Sequence, residues 1–533
     1  MNHRFFKILI VFLIALTFTK CAKRGRPTGG EKDEIPPILI SASPSQESIE
    51  FDATKIRIYF DEYVKFKDLN KKLIISPPLK YTPDITPVGT ASKVITIKLL
   101  DTLKENTTYT INFGNSILDN NEGNILESFK YVFSTGKHVD SLQISGDITD
   151  AFSRKTASDI LVMLYEMDST FNDSIIYKEK PTYVTSTLDS TNFELTNLKE
   201  GKYLLMALKQ PNNNYIYKPK QDKIGFYKEP ITLPIDTTFK ISLFKEILPF
   251  KLVKALETSK GHIIFGYEGN AENLSVTLLD TVPSNFKPEI VFEQEKDTLS
   301  YWFKAIEKDS LLFEVTNLNY KDTITVKLKS AKKDSLVLTS ALKSNTLNPR
   351  DTFAIRSRIP ISKIDPSKIS IFDKDTIAIP FTSEVNSYKN KLYLKFEQQF
   401  EQQYAIKVLP NGISDAFGDV NDTLSYNLRT KKLEDYGVIN LQVSNVTSPI
   451  IIQIITEKDE LIASKAISSN QLVTFKNLLP KKYIARAIFD DNENGKWDTG
   501  NYLLKTHPEK TIYFDKLLEV RANWDYNETF LLK

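Results

Sequence analysis

Short segments in which apolar and polar residues alternate recur along this chain of 533 residues. The segment Lys55 to Phe60 places Ile56, Ile58 and Phe60 on one face. The same alternation begins again at Ser92, Asp322 and Asn390. Alternation over roughly four to eight residues is typical of a strand with one buried face. Because such strands follow one another with polar turns between them, the sequence predicts an all-β chain of tandem antiparallel β-sandwiches.

The chain also contains two internal repeats. The segment from Asn106 matches the segment from Glu401, and a tyrosine, a turn aspartate and a final threonine recur in both: Tyr109, Asp119 and Thr135, then Tyr404, Asp415 and Thr430. The segment from Phe193 matches the segment from Val473, with Asn197, Leu198, Tyr203 and Ala207 falling on Asn477, Leu478, Tyr483 and Ala487. We therefore predict a duplicated pair of modules, A then B, with a further β segment between the copies.

Both modules carry segments that resemble known families. Module A contains IRIYFDE from Ile56, LKENTTYTINFG from Leu103, LDNNEGN from Leu118 and FSTG from Phe133. By these segments it resembles the S-layer-type bacterial Ig-like domain. Module B contains ISGDITDAFSRK from Ile144, ILVMLYE from Ile160 and FELTNLKEGKYLLMAL from Phe193. By these it resembles the small transthyretin-like sandwich of carboxypeptidase regulatory domains. The two resemblances imply β-sandwich folds that serve as spacers or binding platforms.

The N-terminus has the pattern of an export signal. Arg4 and Lys7 precede an apolar run of about 11 residues from Ile8 to Phe18, and Cys21, the single cysteine, follows. A basic start and a short apolar core are typical of a secretory signal, since a membrane span needs roughly 20 apolar residues. The position of Cys21 resembles that of the lipid-modified cysteine of bacterial lipoproteins. A simple secretory signal with an incidental cysteine is the alternative.

These observations predict the following order of segments. The chain is divided into a signal peptide (1–20), a lipidated flexible spacer (21–36), a bacterial Ig-like domain (37–137), a transthyretin-like β-sandwich (138–246), an additional β domain (247–340), a second, divergent Ig-like domain (341–431) and a second transthyretin-like β-sandwich (432–533). The last five are named modules A, B, C, A2 and B2. The resemblance to lipoproteins implies a lipid-tethered envelope protein. By resemblance to the sorting rules of related lipoproteins, the lack of an acidic residue just after Cys21 implies the outer membrane, and the choice between its periplasmic face and the cell surface stays open.

Composition argues against several classes of function. Three of the 70 basic residues lie in the leader, and without them basic and acidic residues balance at 67 each. Nucleic-acid binding depends on concentrated positive charge and is not expected. One cysteine excludes a cysteine-rich zinc site, and neither a glycine-rich phosphate loop nor a G-x-S-x-G elbow occurs. The four histidines lie far apart and are expected on loops or surfaces. The sequence therefore predicts a protein that is not an enzyme and has no cofactor, apart from the calcium considered next.

One loop in module B2 has the residue order of a calcium site. Oxygen-bearing side chains occupy alternate positions, with Gly495 where the backbone turns sharply: Asp490, Asn492, Asn494 and Asp498. Hard cations prefer such oxygen ligands, so weak Ca²⁺ binding is one hypothesis. A polar hairpin turn at Asn494-Gly495 is the other. The first copy holds Gln210, Asn212, Asn214 and Lys218 at these positions, which favours the turn and leaves calcium open.

Aromatic residues flank both copies of this loop. Tyr215 and Tyr217 lie beside the first copy and Trp497 lies in the second. Flat rings give contact area at little entropic cost, so these three are candidates for binding a glycan or peptide. The leading hypothesis is a non-enzymatic, lipid-anchored scaffold or adhesion platform that contacts the membrane and an unknown envelope protein or glycan. The alternatives are a glycan- or peptide-binding accessory lipoprotein and, more remotely, a hydrolase of envelope polymers.

Overall fold

Strands dominate the part of the chain that the computed structural model describes, which is residues 32–293, 296–386 and 390–533. This part contains 41 strands and one α-helix of four residues, α1 (Leu69–Lys72). The predicted class, tandem antiparallel β-sandwiches, is confirmed. No helix among the described residues combines the length and apolar character needed to cross a membrane. The predicted signal peptide and Cys21 lie outside the described residues.

The chain divides into two compact units. The first consists of the chain up to Gln143 together with Thr182–Leu188 and Leu195–Glu200. The second consists of Ile144–Pro181, Asp189–Glu194 and Gly201–Lys533. Three short segments of module B, which are residues 138–143, 182–188 and 195–200, therefore belong to the same unit as module A.

Module A forms two sheets in the first unit. Its strands are β1 (Leu39–Ser43), β2 (Lys55–Phe66), β3 (Ile74–Ser76), β4 (Asp84–Thr86), β5 (Ser92–Lys98), β6 (Thr108–Gly114), β7 (Ile117–Asp119), β8 (Ile125–Leu126) and β9 (Phe129–Ser134). One sheet has the order β4-β5-β2-β7-β8 with β1 against β2, and the other is β3-β6-β9. Ile56, Ile58 and Phe60 are all buried between the sheets, as their alternation predicts.

Module B has a parallel pair among its antiparallel strands. Its strands are β10 (Leu142–Asp150), β11 (Leu161–Glu166), β12 (Tyr183–Ser186), β13 (Asn192–Leu198), β14 (Gly201–Lys209), β15 (Lys223–Phe226), β16 (Ile231–Leu233) and β17 (Thr238–Leu243). In the second unit β10 pairs in parallel with β17. Strand β14 pairs with β11, β15 and β16. The strand β12 belongs to the first unit.

Module C and module A2 follow in the second unit. Module C has β18 (Lys251–Ser259), β19 (His262–Glu268), β20 (Ser275–Leu278), β21 (Glu289–Glu293), β22 (Thr298–Trp302), β23 (Ser310–Asn317) and β24 (Tyr320–Lys327). The next nine strands are β25 (Leu338–Ser340), β26 (Phe353–Ser357), β27 (Ile361–Ile364), β28 (Ile369–Phe372), β29 (Phe381–Asn386), β30 (Lys391–Phe396), β31 (Gln403–Val408), β32 (Ile413–Asp415) and β33 (Leu424–Arg429). Two of their sheets have the orders β18-β19-β22-β21 and β25-β26-β30-β29.

Module B2 repeats the pairing of module B. Its strands are β34 (Gly437–Ser444), β35 (Ile450–Thr456), β36 (Leu461–Ile467), β37 (Gln471–Leu478), β38 (Lys482–Phe489), β39 (Thr511–Tyr513), β40 (Leu518–Glu519) and β41 (Asp525–Leu531). Its first and last strands, β34 and β41, again pair in parallel. Strand β38 pairs with β35, β39 and β40, as β14 pairs with β11, β15 and β16. The two copies are therefore one topology used twice.

The repeated tyrosines of modules A and A2 make the same hydrogen bond. The Tyr109 hydroxyl accepts the Lys104 N–H at 2.9 Å, and the Tyr404 hydroxyl accepts the Gln399 N–H at 2.7 Å. The repeated threonine binds the same partner residue in each module. Thr135 donates to the Lys104 carbonyl at 2.7 Å, and Thr430 donates to the Gln399 carbonyl at 2.7 Å. The residues that define the sequence repeat thus tie one loop to the last strand in both copies.

Candidate functional site

The loop 490–498 is closed by hydrogen bonds among its own residues. The buried Asp490 carboxylate accepts the N–H groups of Asn494 and Gly495, both at 2.9 Å. The side-chain amides of Asn492 and Asn494 both donate to Asp498 Oδ2, at 2.6 and 2.5 Å. The four side chains predicted as calcium ligands are therefore brought together, and each is engaged within the loop.

Glu509 supports the loop from the opposite side. Its carboxylate accepts the N–H groups of Asp491 and Asp498, each at 2.9 Å. Its backbone carbonyl accepts the indole N–H of Trp497, also at 2.9 Å. Burial raises the pKa of Glu509, and the neighbouring Asp498 and Asp490 carboxylates raise it further. The loop thus concentrates negative charge on a hydrogen-bonded frame.

The first copy of the loop has the same geometry with different chemistry. The Gln210 side-chain oxygen accepts the Tyr215 N–H at 3.1 Å, just as Asp490 accepts the Gly495 N–H. The φ angles of Tyr215 and Gly495 are +64° and +79°, so both adopt the left-handed conformation. The turn therefore forms with an amide where the second copy has a carboxylate. No cluster of three or more histidine, cysteine or acidic residues suited to a metal occurs among the described residues, and calcium at this loop stays a prediction.

The aromatic residues predicted as a binding surface are only partly exposed. Tyr217 is 2% exposed and its hydroxyl donates to Glu246 at 2.7 Å, which corrects the expectation of an exposed ring at this position. Tyr215 and Trp497 are half-buried. The Trp497 ring packs at 4.5 Å between ring centres against Phe152 of module B. Binding by Tyr215 and Trp497 stays a prediction, and Tyr217 belongs to the core.

A tyrosine of module B2 joins modules B and B2 within the second unit. Tyr502 is fully buried, its hydroxyl donates to Asp173 at 3.1 Å, and its backbone N–H donates to Glu246 at 2.6 Å. Glu246 also accepts the Tyr217 hydroxyl, so one carboxylate binds groups from both modules. The Lys505 ammonium pairs with Asp173 at 2.6 Å and lies 3.7 Å from the centre of the Tyr502 ring. We call these five residues the tyrosine latch.

A second contact between the same modules surrounds Phe152. The Arg486 guanidinium lies 4.1 Å from the centre of the Phe152 ring, within the range of a cation–π interaction. The Tyr513 hydroxyl donates to the Phe152 carbonyl. Arg154 donates to the Asp515 carbonyl at 3.2 Å. Two separate sets of contacts therefore hold module B2 against module B.

The other modules of the second unit are also in contact. Trp302 of module C packs against Phe417 of module A2 at 5.9 Å between ring centres. Arg350 of module A2 donates to the Lys476 carbonyl of module B2 at 3.1 Å. Ion pairs cross two more boundaries: Lys220 with Glu268 at 2.6 Å and Lys496 with Glu272 at 3.8 Å. The four modules of this unit are thus linked through side chains as well as through the backbone.

A cleft of about 1030 Å³ lies between modules C and A2. Within it, the His262 ring stacks on Trp302 at 3.6 Å with an angle of 6° between the ring planes. Its Nδ1 lies 2.9 Å from the Thr258 hydroxyl and its Nε2 lies 3.1 Å from the Ser300 hydroxyl. Burial lowers the pKa of His262 to about 4, so the ring is neutral at pH 7. The expectation of a histidine on a loop or surface is wrong here, because His262 lies in β19.

A serine, a histidine and an aspartate lie close together at the cleft, but the serine lacks the solvent access that a nucleophile needs. Ser300 is fully buried and its hydroxyl donates to Glu293 at 2.7 Å. Asp334 lies 3.9 Å from His262 Nδ1 and pairs with Arg358 at 3.1 Å. A nucleophilic serine has to reach substrate and to pass its proton to the histidine. These groups therefore act as a buried polar network beneath the cleft. The one sequence feature that indicates this network is a histidine, His262, within an alternating strand.

Comparison with known proteins gives one family and several distant structures. Residues 33–135 match the family model of a bacterial Ig-like domain, which supports the resemblance stated for module A. No curated protein matches the chain.

The solved structures with similarity to the chain include the following three. Domains 1–6 of the surface layer protein SbsC are 12% identical, with 91% of this chain and 67% of that chain covered and a TM-score of 0.16. The Bacillus anthracis TIE protein is 10% identical, with coverages of 100% and 79% and a TM-score of 0.14. The major pilin subunit BcpA of Bacillus cereus is 10% identical, with coverages of 74% and 99% and a TM-score of 0.14. At such TM-scores these likenesses carry no argument about function.

Replacing Asp490 by alanine tests the structural role of the loop. We expect faster amide hydrogen exchange across residues 489–499, corresponding to about 1–3 kcal/mol, because two N–H groups lose a buried acceptor. Asp491→Ala is the matched control, since that side chain is exposed on the same loop. Equal exchange in both variants would contradict the role. Millimolar Ca²⁺ should slow exchange in the wild type and the control only if the loop binds a cation.

The neutral His262 predicts a pH dependence of stability. Between pH 6.5 and about 4 the unfolded chain takes up a proton that folded His262 does not, so the free energy of unfolding of module C falls as the pH is lowered. The loss approaches about 3 kcal/mol at the lower end of this window. His262→Gln should reduce this slope in urea unfolding monitored by hydrogen exchange of module C. His138→Gln, at a largely exposed histidine, should leave it unchanged. Identical slopes in the two variants would contradict the assignment.

Proposed function

We propose that this protein is a non-enzymatic scaffold of the cell envelope, held to a membrane by lipid on Cys21. The observation that carries the proposal is the tyrosine latch. Sandwich modules joined only by linkers move independently by default. In the second unit, by contrast, Tyr502 of the last module is buried against residues 329 positions earlier in the chain.

The latch fixes the distance between surfaces of different modules. Removing a buried aromatic side chain costs about 3–5 kcal/mol, so contacts of this kind hold modules together against thermal motion. The Phe152 contact adds a second point of attachment, which restricts rotation about the first. A unit whose modules keep their relative positions can present several binding surfaces at once, which is the property a scaffold or contact platform needs.

The anchor is proposed from the sequence around Cys21. A single acyl chain gives marginal membrane binding, whereas several chains on one cysteine hold a protein firmly. Residues 21–36 are rich in glycine, proline and charge, so they suit a flexible spacer between the membrane and module A. Outer-membrane placement is part of the proposal, and either face of that membrane is compatible with it.

Replacing Tyr502 by alanine should loosen modules B and B2 from each other. We expect faster hydrogen exchange in residues 171–181 and 498–508 of the full chain, because the buried ring and its hydroxyl bond to Asp173 are lost while the backbone bond to Glu246 remains. Leu504→Ala is the matched control, since Leu504 lies on the same loop and is 73% exposed. The scaffold proposal fails if the Tyr502 variant exchanges no faster than the Leu504 variant.

Labelling with a palmitate analogue tests the anchor separately. The wild-type chain expressed in a bacterial host should carry the label and sediment with membranes. Cys21→Ala should lose the label and appear in the soluble extracytoplasmic fraction, because no other cysteine is present to accept the lipid. An unlabelled wild-type chain would contradict the anchor and would leave the latch result unaffected.

A further inference from the structure

The cleft between modules C and A2 carries a local excess of positive charge. Six cationic side chains and two carboxylates line it: Lys254, Lys296, Lys332, Arg356, Arg358 and Lys391, with Glu293 and Asp334. Each carboxylate already has a cationic partner, since Glu293 pairs with Lys296 at 2.6 Å and Asp334 with Arg358 at 3.1 Å. Four cations therefore remain in excess of the carboxylates. Basic and acidic residues balance over the whole chain after the leader, so this excess is local to the cleft.

Two of these cations face each other across neighbouring strands. Arg356 of β26 and Lys391 of β30 are directly paired in the antiparallel register. Side chains at such positions lie on the same face about 4.5–5.5 Å apart at Cβ, and like charges there are destabilising. On the other side of Arg356 the register places Thr339, which offers a hydroxyl and no negative charge. An anion bound over this pair would be attracted by both side chains.

One residue that lines the cleft carries a buried hydrogen-bond donor without a partner. Trp302 lines the cleft, and its indole Nε1–H is buried without an acceptor among the residues that the structure describes. An unsatisfied buried donor is unusual in a native protein and calls for an explanation. His262, stacked on the same ring, is neutral and adds no charge that would repel or attract a ligand. The charges that line the cleft therefore favour an anionic ligand.

We propose that this cleft binds a multivalent oxyanion, a ligand that presents several phosphate or carboxylate groups. A volume of about 1030 Å³ is large for one phosphate and suits a small oligomer. Concave walls of one charge sign focus the electrostatic field and raise the local concentration of an oppositely charged ligand. Arg356 supplies a planar guanidinium for bidentate contacts, and Lys254, Lys332 and Lys391 supply point charges. The proposal is independent of the lipid on Cys21.

Charge reversal at one cation from each module tests the proposal. The cleft variant carries Lys332→Glu and Arg356→Glu, which alter exposed cations of modules C and A2. The matched control carries Lys327→Glu and Lys343→Glu, which change the same total charge on exposed residues of the same modules outside the cleft. Circular dichroism and hydrogen exchange check that each variant is folded. Lys332→Gln with Arg356→Gln serves as a milder second cleft variant.

Isothermal titration of the full chain with two probes provides the measurement. Sodium tripolyphosphate supplies phosphate groups and a galacturonate hexamer supplies carboxylates, each at 50 mM and at 300 mM NaCl. We expect at least one probe to bind the wild-type chain with a sub-millimolar Kd at low salt. The cleft variant should bind that probe at least tenfold more weakly. The Kd of the control variant should stay within twofold of the wild-type value. Binding of one probe alone identifies which group the site prefers. Absence of binding by both probes, or an equal loss in the control, would overturn the proposal.

Discussion

The burial of Tyr502 against Asp173 and Glu246 is the interaction on which the organisation of the second unit depends. A phenol ring removed from water needs a partner for its hydroxyl, and Asp173 provides one. Glu246 is itself nearly buried, and a buried carboxylate needs hydrogen-bond donors on both of its oxygens. Tyr217 supplies one donor from module B, and the backbone of Tyr502 supplies the other from module B2. Module B2 therefore supplies a hydrogen-bond donor that a carboxylate of module B needs.

Much of the fold follows from local pattern in the sequence. Alternation identified the strands of module A because a side-chain period of two leaves one face for the core, and Ile56, Ile58 and Phe60 occupy that face. The internal repeat places Tyr109 and Tyr404 at equivalent positions, and their hydroxyls accept equivalent backbone N–H groups. These features are predictable because they depend on residues close in sequence or repeated at a constant offset.

The sites between modules were not predictable in this way. Tyr217 lies in a polar loop of the sequence, yet it is buried, and its hydroxyl donates to a carboxylate, Glu246, that also accepts the backbone N–H of Tyr502. The cleft is built from Lys332 and Arg356, which lie on separate modules, so neither stretch of sequence looks unusual by itself. The loop at Asp490 was identified by spacing alone, and its chemistry differs from that of its first copy while its backbone does not.

The duplication kept the backbone and varied the side chains. Gln210 and Asp490 bind the equivalent N–H group, and left-handed residues follow at the same distance in both loops. Because the loop backbone forms with either an amide or a carboxylate at this position, the side chains on the loop surface can differ between the two copies. This separation between a conserved frame and a variable surface explains why the two B modules can share one topology and still fit against each other through unlike residues.

The parallel pairing of the first and last strands in modules B and B2 has a mechanical consequence. Strands β10 and β17 are joined along six consecutive residue pairs, from Ser145 with Thr238 to Asp150 with Leu243. Because these strands run in the same direction, tension applied at the two ends of the module pulls them lengthwise past each other. All the bonds of the pair then resist together in shear, whereas an antiparallel pair pulled from one end would unzip bond by bond. Such modules are suited to bear load between two attachment points.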